Sequence, residues 1–175
     1  SDLAGVYKGV SVGIITDMLN VIATRDLYNP VLERLSAVVW DGKDHLQTVY
    51  DALRLDEDDE LSRTLIKKWF WQGHALLRND PMNPIGADGI LTLAGGQGIG
   101  KTSFFRKVSI CKAFFREGQS INADKDSKRR VLTTWIAELG EVDTTLKSDM
   151  GMLKAFITNA YDEYRLPYGR TDQIR

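Results

Sequence analysis

The apolar positions of this chain follow helical spacing over its first part and gather into short unbroken runs over its second. Residues 10–23 carry Val12, Ile14, Ile15, Met18, Leu19 and Ile22 with Asp17 and Asn20 between them, which predicts a helix. Asn29-Pro30 reads as a helix start: an asparagine cap, then proline where the missing N–H costs nothing. Val31, Leu32, Leu35, Val38 and Val39 continue that helix until Trp40-Asp41-Gly42 turns the chain. Residues 44–55 predict a short amphipathic helix on Leu46, Val49, Leu53 and Leu55. The acidic run Asp56-Glu57-Asp58-Asp59-Glu60 suits a helix N-terminus, where the backbone dipole favours negative charge. It lacks the glycine-containing spacing of a calcium loop. The helix it opens extends to about residue 77, with Leu65, Trp69, Gly73 and Leu76 at three-to-four spacing. Trp69-Phe70-Trp71 within it reads as core packing, not as a base-stacking platform.

Pro81, Pro84 and Gly86 make residues 78–88 the clearest break, and the pattern changes beyond them. We place a domain boundary here, between an all-helical N-terminal region over 1–86 and an α/β core over 87–175. Ile90-Leu91-Thr92-Leu93-Ala94 predicts a short buried strand, and residues 101–116 predict a helix ended by Glu117-Gly118. Gln119-Ser120-Ile121 is a short strand candidate, residues 124–130 are polar and basic, and residues 131–139 predict the next strand. Residues 146–160 predict a helix with Leu146, Met150, Leu153 and Ile157 on one face. The sequence holds no internal repeat and no low-complexity segment.

Between the strand at 90–94 and the helix at 101 stands Gly95-Gly96-Gln97-Gly98-Ile99-Gly100-Lys101-Thr102, which matches G-x-x-x-x-G-K-[ST]. Glycines let a backbone wrap a phosphate chain with its N–H groups inward, and a helix N-terminus adds a favourable dipole. The lysine of such a loop reaches the β- and γ-phosphates, and its threonine hydroxyl ligates Mg²⁺. Gly95 to Thr102, with Ser103 in the first helical turn, therefore form the candidate set for ATP, and Lys101 is the candidate for charge stabilisation. The bland alternative is a glycine-rich turn that happens to spell the motif.

Hydrolysis also requires an acidic group behind the metal and one that positions water. Thr134-Trp135-Ile136-Ala137-Glu138-Leu139-Gly140-Glu141 supplies both at the end of an apolar run, with Asp143 close behind. Glu138 is assigned to the Mg²⁺ shell with Thr102, and Glu141 to the water; the two roles could be exchanged, and a solvated acidic loop is the plain alternative. Other phosphate-loop classes fit less well. Asn122-Ala123-Asp124-Lys125-Asp126 has the letters of a guanine-reading N-K-x-D motif in the wrong order. Gly95-Gly96-Gln97 lies inside the loop and so is not a transporter signature. A small-molecule kinase has no positive feature in its favour.

Composition and charge add little but exclude some classes. With 43% hydrophobic and 27% charged residues among 175, the chain has the make-up of a globular protein, one or two small domains long. No apolar run approaches the ~20 residues of a membrane span, and the N-terminal stretch lacks the basic-then-apolar pattern of a secretory leader. Cys111 is the single cysteine and is expected to pack on the 101–116 helix, so no intrachain disulfide forms; His45 and His74 are isolated and spell no zinc site. A cytoplasmic location, away from membranes, is the expectation. Residues 1–88 hold 9 Lys/Arg against 14 Asp/Glu (−5), and residues 89–175 hold 14 against 10 (+4). The half with the glycine loop is the basic one, as a binder of ATP or nucleic acid prefers, though a solvated surface would look much the same.

Taken together, these stretches resemble the virulence-associated protein E family, phosphate-loop ATPases of prophages and mobile elements related to superfamily 3 helicases. The likeness covers most of the chain. It lies in Leu35 to Asp51 with Trp40-Asp41-Gly42-Lys43, in the glycine loop followed by Ser103-Phe104-Phe105, and in Trp135-Ile136-Ala137-Glu138-Leu139-Gly140-Glu141. It continues in Lys154-Ala155-Phe156-Ile157 and in Asp162-Glu163-Tyr164-Arg165-Leu166-Pro167-Tyr168-Gly169-Arg170, the most specific run. Gly96 departs from a proline common in the family, without consequence for phosphate binding.

The resemblance implies a three-layer P-loop NTPase core like those of AAA+ proteins and superfamily 3 helicases. It implies an ATPase, a DNA helicase in the full-length protein, acting in phage or mobile-element replication as a homo-oligomeric ring on single-stranded DNA, in a bacterial cytoplasm. In related helicases a hairpin after the acidic strand meets DNA, which makes Lys154, Arg165, Tyr168 and Arg170 the candidates for DNA or subunit contacts. A structural hairpin whose arginines pair with Asp162 and Glu163 is the alternative. The family's sensor residue and arginine finger are expected beyond Arg175, so the core is expected to be incomplete at its C-terminus and the fragment to be inactive as a helicase. Two other readings compete: a nucleotide-dependent assembly switch that does not unwind DNA, and a small-molecule phosphotransferase.

Overall fold

The structure is a computed structural model that describes residues 11–25, 28–80, 82–119, 125–140, 142–160, 163–165 and 172–174. Helix α1 (Val12–Arg25) forms where the aliphatic spacing predicts it, yet Val12, Met18, Leu19, Val21 and Ile22 all lie exposed. Helix α2 (Pro30–Ser36) starts at the asparagine cap. The Asn29 carboxamide oxygen accepts the Val31 and Leu32 amides at 3.1 Å each, and its nitrogen donates to the Leu77 carbonyl at 3.3 Å. One side chain thus satisfies a helix start and ties it to the end of another helix. The helix stops three residues earlier than the spacing predicts, so Val38 and Val39 lie outside it and exposed. The Trp40 indole N–H donates to the Lys43 carbonyl and holds the turn that follows.

Helix α3 (Leu46–Leu53) is closed by Arg54 in the left-handed region, with the Arg54 and Leu55 amides bonded back to Asp51 and Tyr50. This is how helix ends commonly satisfy their last carbonyls. Buried Tyr50 joins α3 to helix α4 (Glu60–Leu77): its hydroxyl donates to the Arg63 carbonyl, and the Arg63 guanidinium lies 4.7 Å from its ring centre. Ile66 is the buried centre of α4. Of the aromatic triplet, Trp69 and Phe70 are half-buried and pack edge to face at 5.1 Å, but Trp71 is exposed, so the three are not buried together as core. A helical face turns by about 100° per residue, and three consecutive aromatics cannot all point inward.

Asp59 caps α4, accepting the Ser62 amide at 3.0 Å. Hydrogen bonds from the Ser62 side chain and then its backbone hold the carboxylate below its usual range. A depressed carboxylate stabilises the fold above its unfolded pKa of about 3.9, and that stabilisation is lost as pH falls through the lower folded value. Thermal unfolding followed by helix ellipticity should therefore show a larger drop in midpoint below pH ~4 for the native chain than for Asp59→Asn, which keeps a capping oxygen but does not titrate.

Past α4 the described residues up to 100 form no regular helix or paired strand, apart from an isolated bridge between Asp80 and Asn83. Asn79 braces this segment: it donates to the Ile85 and Ala160 carbonyls and accepts the Ile85 amide. Gly86 passes against the end of helix α7 (Val142–Thr158), where a Cβ would overlap the Thr158 carbonyl, and the next amide, Ala87, bonds the Ile157 carbonyl at 3.0 Å. Gly86→Ala should cost on the order of 2–3 kcal/mol, a typical penalty for forced overpacking. For a chain of this size it should lower the melting midpoint by roughly 5–10 °C in calorimetry.

The second part is an α/β arrangement. Helix α5 (Lys101–Val108) lies against two strands, β1 (Phe115–Gln119) and β2 (Ile136–Leu139). These pair in parallel, Phe115 opposite Ile136 and Arg116 opposite Ala137, with a register irregularity before Gln119 meets Leu139. Helix α6 (Lys125–Leu132) connects them, as a parallel pair requires a crossover. Phe115 and Ile136 are the buried residues of this pair, and Leu153 is buried on α7. Two further strands, β3 (Glu163–Arg165) and β4 (Asp172–Ile174), pair antiparallel.

Several sequence-based elements are corrected. The strand over 90–94 has no ladder among the described residues, although Leu91 and Leu93 are half-buried. The helix from Lys101 ends at Val108, not at 116, because Ile110 takes a left-handed φ of 71° and Phe115 joins β1. Cys111 is consequently exposed ahead of a short 3-10 turn (Lys112–Phe114), not packed on a helix. Residues 124–130 read only as polar and basic, but Lys125–Leu132 form α6, which takes the first two residues of the strand expected over 131–139 and leaves β2 at Ile136–Leu139. Of the candidate strand at 119–121, Gln119 is the last residue of β1, and 120–121 lie outside the described residues.

Candidate functional site

The glycine loop lies on the surface, immediately before α5. Gly98 and Gly100 have φ of 80° and 96°, a region that residues with a Cβ rarely enter, and these two positions bend the backbone into the helix. Gly100 is the cap residue of α5 and offers no side-chain acceptor, so the amides of the first turn are left for an external one. Its carbonyl accepts the Phe104 amide at 2.9 Å and starts the helix. The Ile99 side chain folds over Gly95 and Gly96 and closes the loop on its apolar side.

Two side chains of the first turn are tied down. The Lys101 ammonium donates to the Gly95 and Gly96 carbonyls at 2.6 and 2.8 Å, so it bends back over its own loop. The Thr102 hydroxyl donates to a Glu138 carboxylate oxygen at 2.5 Å. Residues 36 apart in sequence meet because α5 lies across β1 and β2, and Glu138 is the third residue of β2. Both are half-buried. A threonine that donates to a carboxylate keeps its lone pairs free, and two hard oxygens side by side suit a cation such as Mg²⁺, which keeps most of its other positions for water and phosphate. Among the described residues no group of three or more His, Cys, Asp or Glu forms a self-sufficient metal cage.

The remaining sequence candidates are placed as follows. Ser103, next on α5, is exposed. Glu141 lies outside the described residues, one position past Gly140, whose amide bonds the Gln119 carbonyl at the end of the sheet. Lys154 is exposed on α7. Arg165 closes β3 opposite Asp172, and Tyr168 and Arg170 fall in 166–171, outside the described residues.

Gln72 contributes something the sequence did not single out. Its side-chain oxygen accepts the Asp88 and Gly89 amides at 2.7 and 3.2 Å, and its nitrogen donates to the Gly89 carbonyl at 2.9 Å. Three bonds from one α4 glutamine thus fix the segment that leads into the loop. A lone glutamine on a helix carries no local signal for that role. Trp69 supplies a second brace, its ring 5.8 Å from that of Phe105 on α5. Arg106 on α5 pairs with Glu117 on β1, an exposed pair of small energetic weight.

The sequence pattern of the virulence-associated protein E-like domain matches residues 33–175. A search of curated proteins found no match. No described helix is long and apolar enough to cross a membrane.

Proposed function

The chain belongs to the virulence-associated protein E-like domain family, and we propose that it is the ATP-binding and hydrolysing part of a phage or mobile-element replication protein, a DNA helicase related to superfamily 3. The observation that carries this reading is the Thr102–Glu138 hydrogen bond at the foot of the glycine loop. It joins the loop's threonine to an acidic residue on a parallel strand, the pairing that nucleoside triphosphate hydrolysis uses.

In this reading the loop amides receive the phosphate chain at the positive end of α5. Lys101 leaves the Gly95 and Gly96 carbonyls for phosphate oxygens, exchanging neutral acceptors for charged ones. Thr102 and Glu138 would hold Mg²⁺, which when bound offsets phosphate charge. Glu141, three residues beyond Glu138 in sequence, orients the attacking water. Lys154, Arg165, Tyr168 and Arg170 are assigned to DNA or to a neighbouring subunit of a ring.

The test is release of inorganic phosphate from ATP by the full-length protein, with and without single-stranded DNA, alongside strand separation. Stimulated turnover with unwinding supports the proposal. Turnover that ignores DNA, without strand separation, favours the assembly switch. Phosphate transferred to an acceptor instead of released favours a phosphotransferase.

A further inference from the structure

One face of helix α4 meets the surroundings of the glycine loop at several points. Trp69, Gln72 and Gly73 stand at i, i+3 and i+4, so they share that face. Trp69 packs edge to face on Phe105 of α5, the helix that leaves the loop. The Trp135 indole nitrogen lies 3.9 Å from where a Cβ of Gly73 would stand, and Trp135 leads directly into β2, the strand of Glu138. Gln72 holds Asp88 and Gly89, on the arm that enters the loop.

That arm is the one in need of a fixed course. Among the described residues, 88–94 has no strand partner, so no ladder directs it toward Gly95. The leaving arm, by contrast, is a regular helix laid on β1 and β2. Gln72 supplies what a ladder would. Its carboxamide accepts the Gly89 amide and donates to the Gly89 carbonyl, the two-bond exchange that a facing residue makes in an antiparallel pair. The Asp88 amide reaches the same carboxamide oxygen at 2.7 Å and so uses its second lone pair. The anchor is itself held: Gln72 is half-buried, and Trp69, one turn before it, sits against both Phe70 and Phe105. A glycine-rich loop has many conformations open to it, and its affinity falls in proportion to the time spent outside the one that receives phosphate.

We propose that Gln72 is a positioning residue of the nucleotide site. From α4 it fixes the entering arm at Gly89 and so keeps Gly95 to Lys101 in the shape that receives a phosphate chain. This rests on the reading of the loop as an ATP site, and it makes α4 a bracket that grips both arms of that loop.

The test is calorimetric titration of the 175-residue chain with ATP, beside a melting curve for each variant. Gln72→Met keeps the length of the side chain and loses all three bonds. It should weaken ATP binding about 10-fold, the effect of a loop that is competent one time in ten. Gln72→Glu keeps an acceptor for the Asp88 and Gly89 amides and should bind within roughly 3-fold of native, since two of the three bonds survive. Tyr50→Phe removes the bond from α3 to the Arg63 carbonyl at the other end of α4. It should lower the melting midpoint by a few degrees, as Gln72→Met does, and leave ATP affinity unchanged. Amide exchange at Asp88 and Gly89 should quicken in Gln72→Met and not in Tyr50→Phe.

A native chain that binds no ATP would remove the nucleotide reading, and this proposal with it. Native binding that Gln72→Met leaves unaltered would overturn the positioning role alone. Equal weakening by Tyr50→Phe would reduce the effect to general loss of stability and end the proposal, as would a Gln72→Glu variant that binds no better than Gln72→Met.

Discussion

Lys101→Ala should abolish ATP binding at concentrations where the native chain saturates, weakening it by at least about 100-fold, the scale of losing one preorganised charge-stabilising group. The ammonium is the one group of the described loop that can place a full positive charge among phosphate oxygens. It already spans the loop, bonded to the carbonyls of Gly95 and Gly96. Those carbonyls are exposed, so water replaces the lysine when it is removed, and the fold should hardly notice: a surface change of this kind stays within about 0.5 kcal/mol. Calorimetric titration with ATP, next to a melting curve, separates the two effects. An unaltered affinity would remove the loop as the nucleotide site. Lys101→Arg should also fail, because a planar fork cannot take the place of a compact ammonium on a short loop.

The sequence made the ends of helices legible where capping chemistry is local. Asn29-Pro30 marks the start of α2 to the residue, and the acidic run Asp56 to Glu60 marks that of α4, with Asp59 as its cap. It was misleading where long-range pairing decides. Phe104, Phe105, Val108, Cys111 and Phe115 keep helical spacing, so nothing local says that the helix ends at Val108. Phe115 is instead drawn into a ladder with Ile136, and the chain accepts a left-handed Ile110 to reach it. That conformation costs roughly 1–2 kcal/mol for a residue with a Cβ, so the packing of β1 on β2 outweighs it. The run over 90–94 shows the converse: an apolar stretch reads as a strand, but a strand exists only where a partner supplies a ladder.

The candidate site divides in the same way. The glycine loop was readable because its geometry is a local property of Gly98 and Gly100. Glu138 could be named from the apolar run before it, but its contact with Thr102 depends on α5 lying across the sheet, which no spacing encodes. Gln72 is passed over because it is an ordinary helix residue until its neighbours are known, and Trp71 reads as core although it lies exposed.

Glu138→Gln should leave the fold and basal nucleotide affinity nearly intact while removing the dependence of that affinity on Mg²⁺ and reducing turnover about 100-fold or more. The physical reason lies in what the substitution keeps. A glutamine still presents an oxygen to the Thr102 hydroxyl, so the bond that ties α5 to β2 survives and the melting midpoint should stay close to native. What disappears is the negative charge beside a threonine whose lone pairs are free, and with it the attraction for a divalent cation. Thr102→Ala should reproduce the Mg²⁺ defect by the opposite route, losing a ligand while keeping the charge. Glu141→Gln should behave differently, binding ATP with Mg²⁺ as the native chain does and failing to hydrolyse it. Titrations with and without Mg²⁺, followed by single-turnover phosphate release, distinguish the three. If Glu141→Gln loses the Mg²⁺ dependence and Glu138→Gln retains it, the two carboxylates exchange roles, and the Thr102–Glu138 bond then serves to orient the helix and not to seat the metal.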